Sequence, residues 1–382
     1  METVKGFTDF LGEEAKKREE IRKIIVETFE MFGFEPAETP IIEQEEFVKG
    51  NNQQDEAVSD IFKLQDKGKR NLALRYEFTF QLKRIANNQK FPYKRYQIGP
   101  VFRDEPVSSN RFRQFTQCDI DIIGSSFKEE AEILSLSSEL FKKLGIKAEI
   151  EFNNRKLLNE ILNSEKINEK DWPGVLREID KLGKIPESEI IKELKKYKAE
   201  KILEIIKKPE KYFEKFSSFK EIEELKKEGN LYRLKIKFSP TLMRGLSYYN
   251  GSIFEIKTKE MKETIAAGGS YLINNIQSTG ISFGLERLSL LAKIKGKETD
   301  FLLISIGQDK ETISLSEELR KNKKSCTLMF GKPSKALEYA DTKKIKKVIF
   351  IGEDEIKKNK FKIKDMKKGK ESLLTKKEIL GL

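Results

Sequence analysis

Arginines, carboxylates, amides and hydroxyls must carry any chemistry this chain performs, because its 382 residues include no histidine. That excludes imidazole general bases, Ser-His-Asp and Cys-His nucleophilic machinery, and imidazole metal sites. The two cysteines, Cys118 and Cys326, are too far apart in sequence to suggest a Cys-x-x-Cys zinc site or a disulfide framework. The most informative block is YKRYQIGPVFRDEPVSSNRFRQFTQCDIDIIG, residues 93–124. It reads as two long strands around a polar loop, Asp104 to Asn110. Side chains alternate along a strand with a period of two, so Arg113, Phe115, Gln117, Asp119 and Asp121 share one face. A face this polar is either exposed to solvent or the floor of a pocket for a polar ligand, and spacing leaves both open.

A second stretch, RGLSYYNGSIFEI at 244–256, raises a charge problem. Asn250-Gly251 between two strand-like runs predicts a tight hairpin, since both residues tolerate positive φ. Arg244 leads into a strand carrying Leu246, Tyr248, Tyr249, Ile253 and Phe254. A charge among aromatics is costly unless it is paired, either by a carboxylate such as Glu255 or by an anionic ligand. Alternation allows only one of Tyr248 and Tyr249 to face a pocket.

The elements that must hold these residues follow from periodicity. Ile21, Ile24, Ile25, Phe29 and Phe32 predict a helix over 13–32, stopped by Gly33. Asp66-Lys67-Gly68-Lys69 predicts a turn between two strands, and 80–88 and 128–145 read as helices. A short strand is expected at 147–152. From about 154 to 230 the composition shifts to Lys, Glu, Ile and Leu with helical periodicity, which predicts a helical insertion. Strand patterning returns at 231–257, before the helix-like GLERLSLLAKI. The last 86 residues alternate strand and helix, an α/β unit with a mostly parallel sheet.

Composition is that of a globular chain, 37% hydrophobic and 36% charged. No apolar run approaches membrane-spanning length. METVKGFTDF lacks a signal-peptide core, so a cytoplasmic location is expected. The net charge is +12. Residues 297–382 hold 22 Lys/Arg against 14 Asp/Glu, leaving the first 296 residues only +4. A basic C-terminal module suggests a polyanionic partner.

Taken with their neighbours, the motifs resemble the histidyl-tRNA synthetase family of class II aminoacyl-tRNA synthetases over essentially the whole chain. GFEPAETPIIE resembles motif 1. FRDEPVSSNRFRQFTQCDIDIIG resembles motif 2, with the archaeal/eukaryotic flavour QCDxDIxG. GISFGLERL resembles motif 3. LRYEFT, RGLSYYNGSIFE, AAGGSY and the opening GFTDFLGEEAKKRE resemble the family's other signatures.

The resemblance implies an α+β fold. A class II antiparallel-sheet catalytic domain (1–153 and 231–296) would carry a helical insertion (154–230), followed by a C-terminal α/β anticodon-binding domain (297–382). It implies ATP and Mg²⁺ as cofactors, L-histidine and tRNA(His) as substrates, and a homodimer built through motif 1. Arg103 and Arg244 would flank the α-phosphate as catalytic groups. Arg287 would hold the γ-phosphate, Glu105 the adenine amino group, and Arg111 and Arg113 further phosphate oxygens. Glu77, Thr79 and Gln117 would accept the substrate ammonium. Asp121, Tyr249 and Tyr271 would meet the imidazole, and Arg244 would also touch the bound histidine. Mg²⁺ would arrive with ATP.

Three departures stand out. Ser247 replaces the acid of RGLDYY, Ser270 replaces the arginine of GGRYD, whose acid is also lost, and 271–284 is short. The pocket near Tyr271 is therefore expected to be more open, or supported from elsewhere. A catalytically silent paralogue that regulates ATP phosphoribosyltransferase is the main rival. It would lack the ATP-binding arginines.

Overall fold

The computed structural model describes residues 2–50, 60–108, 111–243 and 248–382. Arg244 and Ser247 fall outside them. The chain divides into two compact units, one of Met1–Phe10 and Arg18–Ile294, the other of Leu11–Lys17 and Lys295–Leu382.

The first unit is built on an eight-stranded sheet. Helix α1 (Gly12–Met31) precedes β1 (Glu35–Pro36), β2 (Ile42–Gln44) and α2 (Glu45–Lys49). Strands β3 (Lys63–Gln65) and β4 (Asn71–Leu74) form the expected hairpin, and β4 also pairs with β2 in a small antiparallel sheet. Helix α3 (Leu82–Ile85) leads to the long strands β5 (Tyr93–Phe102) and β6 (Gln114–Ile123). Then come α4 (Phe127–Lys143) and β7 (Glu149–Asn154). After five helices α5–α9 (Arg155–Ser164, Trp172–Ile179, Glu187–Lys195, Lys201–Ile205, Phe219–Leu231) the chain returns through β8 (Ile236–Phe238), β9 (Tyr249–Thr258), β10 (Met261–Ile273), β11 (Ile276–Gly284) and α10 (Leu285–Leu291). Strand order in the large sheet is β1-β5-β6-β11-β10-β9-β7-β8. It is antiparallel except where β1 and β8 join at the ends.

Burial follows the parity of β6. Cys118, Ile120 and Ile122 point into a core with Ile21, Ile25 and Phe29 of α1 and Ile133, Leu134 and Leu140 of α4. The intervening residues face the other side. Helix α4 starts with a capping box, in which Ser126 and Glu129 satisfy each other's backbone N–H groups. Apolar residues between β7 and β8, including Leu158, Ile179, Leu194 and Phe213, join the same core.

Asn250-Gly251 does not make the expected hairpin turn. Both residues lie inside β9, where the pairing with β10 slips: Ile253 faces Gly269, whereas Tyr249 faces Tyr271. Two extra residues on β9 form a bulge, the other use of glycine in a strand. A Cβ on Gly251 would lie 3.2 Å from Ser270 Cβ. Asn274 and Asn275 instead make the tight turn between β10 and β11, with φ of 49° and 65°.

In the second unit β12 (Phe301–Ser305), β13 (Cys326–Phe330) and β14 (Lys347–Ile351) are parallel. The added strands β15 (Phe361–Asp365) and β16 (Glu371–Leu374) are antiparallel, so the sheet is mixed where a mostly parallel one was expected. Helices α11 (Asp309–Lys321) and α12 (Pro333–Thr342) cross between the parallel strands, and α13 (Glu353–Lys358) and α14 (Lys376–Leu380) complete the unit. The Lys-rich stretch 357–377 folds into these last elements, with Phe361 and Ile363 in the core of the unit.

Candidate active site

A cavity of about 370 Å³ opens on the polar face of the large sheet. Its floor is the row predicted from strand parity: Phe115, Gln117, Asp119 and Asp121 all line it. Glu77, Thr79, Arg103, Glu105, Arg111, Tyr249, Tyr271 and Arg287 line it too. Twelve site residues were named from sequence. Of these, ten line the cavity with Gln117 and Asp121 included, Arg113 stands outside the lining, and Arg244 lies outside the described residues.

One wall is cationic. Arg103 leaves the end of β5, its Nε donating to Tyr76 O at 3.1 Å and its guanidinium carbon 5.2 Å from the centroid of Phe115. Arg287, on α10, donates to Thr264 O at 2.6 Å. Arg111 pairs with Glu105 at 2.7 Å, and Arg113 with Asp104 at 2.9 Å. These two pairs are partly exposed and hold modestly, so an anionic ligand can exchange with the carboxylates. The opening segment of the chain braces this loop. Gly6 O accepts from Arg113 N at 2.9 Å, and Phe10 meets Phe112 edge-on.

The opposite end is acidic and aromatic. Tyr248 OH donates to Glu77 Oε2 at 3.4 Å. Tyr271 OH donates to Asp121 Oδ1. Tyr248, Tyr249 and Tyr271 pack as a cluster, with centroids 4.8 to 6.2 Å apart. Both Tyr248 and Tyr249 line the cavity, against the expectation that only one could. Tyr248 precedes β9, so strand alternation does not govern it. Burial raises the phenols of Tyr248, Tyr249 and Tyr271 above their ordinary value, which keeps them neutral donors.

Several participants were not named as site residues from sequence. Arg95, on β5 opposite Asp121, is fully buried, and its Nη2 lies 2.6 Å from Asp121 Oδ2. Asp119 is buried beside it, and burial pushes its carboxyl up to about 7. Strand parity had put Asp119 on this face, but nothing in the spacing separated it from an exposed position. Ser282, on β11, accepts from Gln117 Nε2 at 2.6 Å. Among the described residues no group of three His, Cys, Asp or Glu side chains is arranged to hold a metal ion.

The sequence departures have visible consequences. Ser270 turns away from the cavity and donates to the buried Glu130 of α4. The shortened segment, 271–284, turns through two residues, Asn274 and Asn275, and Asn274 Nδ2 ties that turn to Lys83 O and Asn87 Oδ1 at 2.9 Å each. Tyr271 is thereby held by Asp121 and the other tyrosines rather than by a longer loop.

Residues 6–288 match the histidyl-tRNA synthetase family model, and 300–382 match the anticodon binding domain. The chain is 35% identical to histidine–tRNA ligase 1 of Bacillus cereus (strain ATCC 10987), covering 97% of this chain and 94% of that one. It is 33% identical to histidine–tRNA ligase of Finegoldia magna, covering 99% and 98%. Among solved structures, histidyl-tRNA synthetase from Nostoc sp. PCC 7120 superposes with a TM-score of 0.86 at 25% identity, over 100% of this chain and 98% of that chain. By sequence, architecture and the composition of its cavity, the chain belongs to the histidyl-tRNA synthetase family.

Proposed function

We propose that this chain is a histidine–tRNA ligase, which activates histidine with ATP and then transfers it to the 3′ end of tRNA(His). The observation that carries this reading is the polarity of one cavity. Cations from motifs 2 and 3, Arg103, Arg111 and Arg287, line the cavity that also holds Glu77, Thr79, Gln117 and Asp121.

In the first step the histidine carboxylate attacks the α-phosphorus of ATP in line, forming histidyl-adenylate and releasing pyrophosphate. The attacking group is already an anion, so no general base is required, and a histidine-free site suffices. The enzyme positions the reactants and stabilises charge on the phosphoryl oxygens. Arg103 and Arg244 take the α-phosphate, and Arg287 the γ-phosphate. Arg111 and Arg113 leave their carboxylate partners for phosphate oxygens, and Glu105, released by Arg111, accepts the adenine amino group. Arginine suits this task because its planar fork binds phosphate bidentately and keeps its proton. Mg²⁺ would arrive bound to ATP and would offset negative charge on the phosphates, alongside Arg103, Arg111 and Arg287.

Glu77, Thr79 and Gln117 accept the substrate ammonium, and Asp121 and the tyrosines take the ring. In the second step the terminal ribose hydroxyl of tRNA attacks the adenylate carbonyl, with loop 104–110 against the acceptor end. The basic C-terminal module grips the anticodon, as in a cytoplasmic homodimer of this family. The test is ATP–pyrophosphate exchange driven by each amino acid in turn. Exchange with histidine alone supports the reading. Exchange with another amino acid refutes it, and no exchange with any amino acid revives the silent-paralogue reading.

A further inference from the structure

The pairing of β9 with β10 slips a second time beside the cavity. Met261 faces Thr258 and Ala266 faces Ile256, so four residues of β10, 262–265, stand against Lys257 alone. A bulge of this kind takes its residues out of the ladder and leaves their backbone groups to other partners. Thr264 lies in the bulge and lines the cavity. Its carbonyl accepts from Arg287 Nη1 at 2.6 Å. That bond selects one orientation for a long, flexible cationic side chain.

A carboxylate fixes the bulge in turn. The Thr264 hydroxyl donates to Glu255 Oε1, and both residues are buried. Glu255 stands on the cavity face of the sheet, because Asp119 faces Ser282, Ser282 faces Ala267 and Ala267 faces Glu255 along one row. Glu151 of β7 continues the row. Two carboxylates directly opposite each other repel. Lys257 answers both, 2.8 Å from Glu255 Oε2 and 3.0 Å from Glu151, and Lys237 lies 2.8 Å from Glu151. One oxygen of Glu255 thus meets a cation, and the other holds Thr264.

We propose that Glu255 is a positioning residue for Arg287: by anchoring the Thr264 hydroxyl, it sets the carbonyl that aims the guanidinium at the terminal phosphates of ATP. Glu255 itself touches no reacting group. This deepens the ligase reading, and the phosphate assigned to Arg287 rests on it.

The test is titration of ATP and of AMP into the full chain. AMP shares the adenine and α-phosphate with ATP but lacks the terminal phosphates, the group that Arg287 holds. Wild type is expected to bind ATP more tightly than AMP. Glu255→Ala and Thr264→Val are each expected to weaken ATP binding at least about fivefold and AMP binding by less than about twofold. Glu255→Gln and Thr264→Ser keep an acceptor and a hydroxyl, and ATP binding within about twofold of wild type is expected. Residues that act through one another are not additive, so in an Arg287→Ala chain Thr264→Val is expected to cost less than about twofold more. A residue that merely closed the sheet would weaken both nucleotides alike and add its full loss to that of Arg287→Ala. Either result overturns the proposal, as does a Thr264→Val chain with unchanged ATP binding or a wild type that does not distinguish ATP from AMP. If Glu255→Ala fails to fold, the Thr264 variants and the double-variant comparison decide. Histidine-driven exchange by wild type tests the ligase reading separately. Its absence removes that reading and leaves the titrations to support or overturn the role of Glu255.

Discussion

Arg18 Nη2 lies 2.8 Å from Glu286 Oε1, and both side chains are more than nine-tenths buried. The same carboxylate accepts from Thr116 N at 3.0 and 3.1 Å, while the Arg18 guanidinium stacks on Phe10 at 3.8 Å. One ion pair thus joins α1 to the strand carrying Gln117 and to the helix carrying Arg287. The motif 3 glutamate acts as a spacer that sets one wall of the cavity against its floor.

Removing one partner of a buried pair strands the other charge, at a cost of about 3–5 kcal/mol. Arg18→Met is therefore expected to lose stability on that scale in denaturant unfolding. In exchange assays, KM for ATP should rise more than KM for histidine, because Arg287 loses its reference to β6. Unchanged unfolding would mean that Glu286 is satisfied without Arg18.

Gly6 adopts φ +88°, and a Cβ there would lie 2.8 Å from Arg113 Cγ. Both strain and overlap oppose any side chain at this position. Gly6→Val is expected to displace the loop after β5 and raise KM for ATP about tenfold, with thermal stability reduced by about 1–3 kcal/mol. Limited proteolysis of the 104–110 loop should accelerate in parallel. A variant with wild-type kinetics would show that the opening segment does not brace the loop.

How far the sequence could be read depends on what each feature needs. The floor of the cavity was legible because β6 is long and regular, so a period of two fixes which residues share a face. Tyr248 was misjudged because it sits one residue outside the strand whose alternation was applied to it. Asn250-Gly251 misled because glycine serves a bulge as well as a turn, and only the partner strand decides between them. Arg95 carried no local signal at all. Its meaning comes from Asp121, twenty-six positions later and directly across the ladder. Asp119 lay on the right face, but its burial depends on β11, where Ser282 stands across the ladder from it. Assigning phosphate and adenine contacts to individual motif residues required the family resemblance, since spacing supplies only a row of cations.

Gly280 is the residue that makes room for Asp121. A Cβ there would lie 2.3 Å from Asp121 Oδ1 and 2.8 Å from Ile120 O, so neither rotamer change nor side-chain flexibility fully relieves it. Gly280→Ala is expected to push the Asp121 carboxylate off Tyr271, raising KM for histidine by at least about tenfold while ATP affinity in the absence of histidine stays near wild type. Isothermal titration with each ligand separates these effects. Equal losses for both ligands would point to a general distortion of the sheet instead.

Glu130 gives the clearest pH prediction. It is buried on α4, where the hydroxyls of Ser252 and Ser270 only partly offset desolvation, and burial pushes it up to about 7. Its folded value is raised above the unfolded one, near 4.3. Below about pH 4 both states hold the proton, and its stabilising contribution is fully present. Between about 4 and 7 the unfolded chain releases the proton while the folded one keeps it, so stability falls as pH rises through that window, then levels off above it. Each unit of separation is worth about 1.4 kcal/mol, or roughly 3–4 kcal/mol in all. Glu130→Gln keeps the shape and removes the titration. Its stability relative to wild type should therefore improve from pH 5 to about pH 7 and level off above, as read by urea midpoints at each pH. A difference that does not change with pH would mean that Glu130 is ionised in the native protein and that Ser270, standing where the family signature carries an arginine, suffices to hold a buried anion.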